Sequence, residues 1–203
     1  MRTSIKNLIA ATLTLIVLTS ATIMTKADDN VVTVLTDVKK VNKINVSGNV
    51  SLILVQSADE RVNVYNNYYT KNALVQHKDG ELRVSSYEKE ALIVVVYVSN
   101  LSSITASENA IIKTHGKFTA LNLDVNLNDF AKADLNTNTI SLNTNVNSNA
   151  NLTLAGSTSE YNAVVNRLSK VDMINFVAEI TNISAKNINA TAPFKALALT
   201  IAE

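Results

Sequence analysis

The sequence predicts an all-β protein whose C-terminal half stacks like a solenoid with about 20 residues per coil. Three observations carry this expectation. Val, Ile, Thr, Asn and Ser dominate the composition, with four glycines and a single proline among 203 residues, a mixture that favours pleated backbone over helix. Aliphatic residues alternate with polar ones at two-residue spacing, the signature of a strand with one buried face. Beyond Leu101, similar residues recur at a separation of 20.

The chain opens with Arg2 and Lys6, continues through the apolar stretch LIAATLTLIVL and reaches Thr25-Lys26-Ala27 ahead of Asp28-Asp29. A basic start, an apolar middle and small residues at the end are the marks of a secretory signal peptide. Residues 1–27 are assigned to it, with cleavage after Ala27 and Ala21 as the alternative, and residues 28–203 to one domain. The threonines at 12, 14, 19 and 22 make the stretch a poor permanent anchor, so no stable membrane span is expected. Cysteine is absent, which excludes disulfides, a thiolate nucleophile and a cysteine-bound lipid; packing alone must stabilise the fold. The formal charge is +1, from 18 basic and 17 acidic residues spread along the chain, and no basic stripe points to nucleic acid.

Residues 28–100 read as paired strands. KINVSGNVSLILVQ sets Ile44 and Val46, then Val50, Leu52 and Leu54, around a Ser47-Gly48-Asn49 turn, and RVNVY follows. ALVQHKDGELRVSSY is the clearest hairpin, because Asp79-Gly80 suits a tight primed turn between two alternating runs. ALIVVVYVSNL is apolar at both parities, which predicts cover on both faces.

From 101 to 203 about five coils are expected. Asn109, Asp129, Asn149, Ser169 and Asn189 form one column, and Ala110, Phe130, Ala150, Lys170 and Ala190 the next. In a stack such columns lie about 4.8 Å apart per step, so asparagines at a corner can bond one another through their amides. Asparagine also tolerates the left-handed backbone that corners need. An antiparallel sandwich, in which Asn and Asp gather in turns, is the alternative reading of the same column.

The stretches VNKINVSGNVSLILVQSADERVNVY, DGELRVSS and LIVVVYVSNLSSITASENAIIKTHG resemble the bacterial family called putative auto-transporter adhesin, head GIN domain, from about Val41 to the C-terminus. The resemblance implies a right-handed parallel β-helix preceded by paired strands, in a secreted or envelope protein, and it implies no catalytic residues. The corners depart from the glycine-rich elements common in that family: Ser107-Glu108-Asn109-Ala110, Asn128-Asp129-Phe130-Ala131 and Asn147-Ser148-Asn149-Ala150 stand there instead. A translocator barrel is not expected within residues 28–203.

Candidate chemistry is sparse. His77 and His115 are the only histidines, and neither has partners at metal-ligand spacing. Asp124, Asp129 and Asp134 fall every five residues, about a quarter of a 20-residue coil, so they should diverge where acid–base pairs must converge. Tyr65, Tyr68 and Tyr69, set among Asn66 and Asn67, form the candidate partner-binding patch, since tyrosine joins a flat apolar face to a hydroxyl. No cofactor or metal is expected. The expected function is a non-enzymatic, exported surface-interaction module for cell adhesion or an extracellular protein or glycan. The alternative is a carbohydrate-binding protein or polysaccharide-active enzyme on a β-helix scaffold. The alternating C-terminal FKALALTIAE predicts a capping contact or a homo-oligomer, because an uncovered strand edge invites pairing.

Overall fold

Alternation decides which side of each strand is buried, and the result is one sheet whose inner face is mainly aliphatic, with Thr137, Thr139, Thr144 and Thr158 buried among the apolar residues. The computed structural model describes residues 32–65 and 73–186. Its strands are β1 (Val32–Leu35), β2 (Lys43–Gly48), β3 (Val50–Gln56), β4 (Arg61–Tyr65), β5 (Ala73–Lys78), β6 (Glu81–Ser86), β7 (Leu92–Val98), β8 (Ser103–Ala106), β9 (Ile111–His115), β10 (Phe118–Leu127), β11 (Lys132–Val146), β12 (Asn151–Asn166) and β13 (Lys170–Lys186). The expected signal peptide, Tyr68, Tyr69 and FKALALTIAE lie outside the described residues. No helix among the described residues is long and apolar enough to cross a membrane.

The strands form a curled half-barrel with the order β1-β4-β7-β3-β9-β11-β10-β8-β2-β6-β5, and β12 and β13 continue from β11. This overturns the expected right-handed parallel β-helix of five coils. The strand order is mixed, and β1 with β4, β4 with β7, and β5 with β6 run antiparallel. Nor do β2 and β3 make a hairpin around Gly48. The chain turns a corner there, β2 pairing in parallel with β6 and β8 and β3 with β7 and β9. Period-two alternation fixes the buried face of a strand but says nothing about its neighbour.

The Asp79-Gly80 hairpin is as expected. Both residues have positive φ, 51° and 77°, and Lys78 faces Glu81 across the β5/β6 pair. Strand β7 is not covered on both faces: Val94, Val96 and Val98 are fully buried while Ile93 is 39% exposed. Its outer face carries Tyr97, and the Arg61 guanidinium lies 3.7 Å from that ring's centroid, a cation–π contact.

From β10 to β13 the strands run parallel, joined at one end by turns that stack. Ala110, Ala131 and Ala150 each donate a backbone N–H to the residue three before, at 3.1 to 3.2 Å. Phe130 N donates to Glu108 O and Asn149 N to Asp129 O, so one turn sits on the next. The left-handed positions are Glu108, Asp129 and Ser148, only one of which belongs to the predicted column. Asn109 and Asn149 align with Phe130 instead. The separation is 21 residues between Glu108 and Asp129 and 19 between Asn128 and Asn147, which is why a fixed step of 20 slips by one.

Glu60 ties the loop before β4 to two distant segments. Burial alone would raise its carboxyl, but hydrogen bonds from Ser99 Oγ (2.5 Å), Ser99 N (3.1 Å) and Lys40 N, with a smaller electrostatic contribution from His77, hold it below the usual carboxylate range. A folded-state value below the unfolded one means the contact stabilises the fold above about pH 4.3, the ordinary glutamate value. That contribution disappears as pH falls through the folded value. Glu60→Gln is therefore expected to lower the thermal midpoint at pH 7, by an amount that shrinks as pH falls through the lowered folded-state value of Glu60. Melts recorded from pH 7 to pH 3 test this; a constant gap would contradict it.

Candidate functional site

On the outer face of β10 to β13, polar side chains fall into register row by row. Asp124 stands beside Asn143, Asn143 beside Asn162, and Asn162 beside Asn182. They are joined side chain to side chain: Asn143 Nδ2 donates to Asp124 Oδ1 at 2.8 Å, Asn162 Nδ2 to Asn143 Oδ1 at 3.1 Å, and Asn182 Nδ2 to Asn162 Oδ1 at 2.9 Å. Every amide donates in the same direction, and the run ends on a carboxylate, which can only accept. Asn162 Nδ2 also donates to Glu160 Oε1 at 3.0 Å. A shorter pair sits at the corner, where Asn147 Nδ2 donates to Asn128 Oδ1 at 3.0 Å.

Two residues further along each strand a second outer row runs Asn126, Asn145, Val164 and Ser184. Along a strand the two rows are about 6.6 Å apart, and neighbours within a row about 4.8 Å. Both rows line a shallow groove of about 870 Å³. Its lining includes the carboxylate of Asp124 and, among the described residues, no Lys, Arg or His. The Asn145 side-chain oxygen is buried and has no hydrogen-bond partner, an arrangement that costs free energy until a donor arrives.

The residues singled out from sequence are scattered. Tyr65 ends β4 on the outer face, between Val32 of β1 and Ile93 of β7; Tyr68 and Tyr69 lie outside the described residues. His77 is in β5 with a buried, unpartnered Nε2, and His115 is exposed at the end of β9. Asp124 belongs to the amide row, Asp129 accepts from Glu108 N at 3.1 Å in its turn, and Asp134 is exposed in β11. No hydrogen bond among the described residues joins one of these carboxylates to another. Among the described residues no group of three or more His, Asp or Glu could hold a metal ion.

Asparagine rows were expected at the corners; the longer one runs across mid-strand. Its sequence signal is the separation of 19 residues between Asp124, Asn143 and Asn162, invisible to a column drawn at 20.

The arrangement defines an all-β scaffold with an amide-lined groove on one face, carrying one carboxylate and no cation among its described lining. The chain belongs to the family described as putative auto-transporter adhesin, head GIN domain, whose profile matches residues 40–194. The fold is shared with a putative adhesin from Bacteroides fragilis (TM-score 0.67, 17% identity, 79% of this chain and 78% of that one). It is shared also with a putative adhesin from Parabacteroides merdae (0.64, 16%, 77% and 78%) and a putative lipid binding protein from Parabacteroides distasonis (0.61, 8%, 77% and 78%). No match is found among curated proteins.

Proposed function

We propose that the protein is a non-enzymatic, exported surface-interaction module that binds an extracellular partner through the amide-lined groove on β10 to β13. The observation that carries this reading is the groove itself: ordered polar side chains around a concave surface, with a buried acceptor left unpaired at Asn145. Membership of an adhesin family supports it. In the same reading Tyr65, Tyr68 and Tyr69 supply a separate contact, supported by the outer-face position of Tyr65 beside Ile93.

The test is adhesion. Beads carrying the full chain are expected to attach saturably to epithelial or bacterial cells. The double variant Asn145→Ala/Asn182→Ala should reduce attachment about tenfold, the equivalent of one or two lost hydrogen bonds, with the thermal midpoint nearly unchanged. Attachment no better than that of albumin-coated beads would overturn the reading.

A further inference from the structure

The geometry points to a neutral, hydroxyl-rich glycan as the occupant of this groove, lying across the strands with one sugar per rung. The inference rests on the binding role proposed above and specifies its ligand. The rungs of the Asp124, Asn143, Asn162 and Asn182 row are set by the interstrand distance of about 4.8 Å, comparable to the advance of one pyranose along an extended β-linked chain. The second row lies about 6.6 Å away, so a ring seated between the rows meets polar groups along both edges.

The donor and acceptor inventory fits hydroxyl groups. A primary amide has two N–H donors and a carbonyl with two lone pairs. The row uses one N–H and one carbonyl contact of Asn143, leaving one donor for a ligand. The Asn145 oxygen, in the second row of the lining, is buried and unpaired; with its amide turned toward the groove it takes a donor, and a sugar hydroxyl both donates and accepts. Val164, 38% exposed in the second row, gives an apolar patch on β12 for the C–H face of a ring. Such a mixture of apolar lining and a few placed polar groups is the general pattern of a ligand site.

Charge excludes the other glycans. Without a cation in the lining, sulfate or uronate groups would lose hydration and meet the Asp124 carboxylate. A protein partner is disfavoured on composition, because the buried centres of protein interfaces are rich in aromatic residues and Arg, and the described lining contains neither.

Calorimetric titration of the full chain with cello-, xylo- and N-acetylchito-hexaose, beside oligogalacturonate and hyaluronan hexasaccharides, tests the inference. Saturable binding to at least one neutral hexaose is expected, weakened about tenfold in Asn145→Ala and retained in Lys113→Ala, exposed on β9 outside the groove. No binding of any neutral hexaose at millimolar concentration, equal or tighter binding of the acidic ones, or an unchanged affinity in Asn145→Ala would overturn it. Bead adhesion before and after periodate oxidation of the cell surface separates the two levels. Adhesion that survives oxidation yet still depends on Asn145 overturns the glycan while keeping the groove as a binding site; absent adhesion with intact hexaose binding overturns the cell-surface role alone.

Discussion

Gly156→Ala is expected to destabilise the protein by at least about 4 kcal/mol, a large part of the 5–15 kcal/mol typical of a domain. Gly156 lies within β12, opposite Thr137 of β11 and Phe176 of β13, with φ of +95°. A methyl group there would sit 2.0 Å from the Thr137 carbonyl oxygen and 3.0 Å from Asn136 Oδ1. The first is backbone, held by its own strand, so it cannot swing away as a side-chain end can. Two directly paired strands would have to part at Thr137 and Gly156, adding overpacking to the cost of a left-handed alanine. Gly116 is the control: its φ is +78°, but nothing lies within 4 Å of an added methyl, so Gly116→Ala should cost only about 1–2 kcal/mol. Chemical denaturation of the pair separates close approach from backbone conformation. Equal losses would mean the approach of β11 to β12 is not the constraint described here.

The contrast between these glycines marks what was legible in the sequence. Face and turn were readable, because both are local: Ile44, Val46, Leu52 and Leu54 announce their buried side by parity, and Asp79-Gly80 announces its turn by the φ angles it can adopt. Partners were not. Whether β2 meets β3 or β6 is settled by backbone pairing between remote segments, and nothing in KINVSG encodes it. Alternation beyond Leu101 is therefore as compatible with the coils of a β-helix as with the observed half-barrel, in which β8 and β9 pair with β2 and β3 of the preceding segment. The groove was half legible. Asparagine abundance was plain, but its position depended on a register of 19 that a fixed spacing of 20 blurs, and Glu108 and Ser148 took the left-handed corners expected of asparagine. The unpaired oxygen of Asn145 has no signal in sequence, since burial without a partner is a property of the assembled sheet.

Tyr161→Ala should cost about 4–6 kcal/mol, the aromatic-to-alanine range plus the penalty for a stranded hydroxyl. Tyr161 is fully buried and the largest side chain in the core. Its ring meets Phe176 edge-on, centroids 5.5 Å apart at 72°, a favoured aromatic geometry, and its hydroxyl shares a hydrogen bond of 3.0 Å with Thr144 Oγ1. Removing the ring opens a cavity between β11, β12 and β13 and leaves the buried Thr144 hydroxyl unpaired. Tyr161→Phe keeps the ring and isolates the hydroxyl, at about 1–2 kcal/mol. The same variant gives a second, independent reading in alkali. Burial pushes the Tyr161 phenol above its ordinary value, the bond to Thr144 opposing this only in part. The folded chain therefore holds a proton that the unfolded chain releases above about pH 10, and stability falls as pH rises past that point. Tyr161→Phe lacks this group, so its deficit relative to the parent protein should shrink between neutral pH and about pH 11. A deficit that is the same at both ends would place the hydroxyl in a less desolvated environment than the core between β11 and β13.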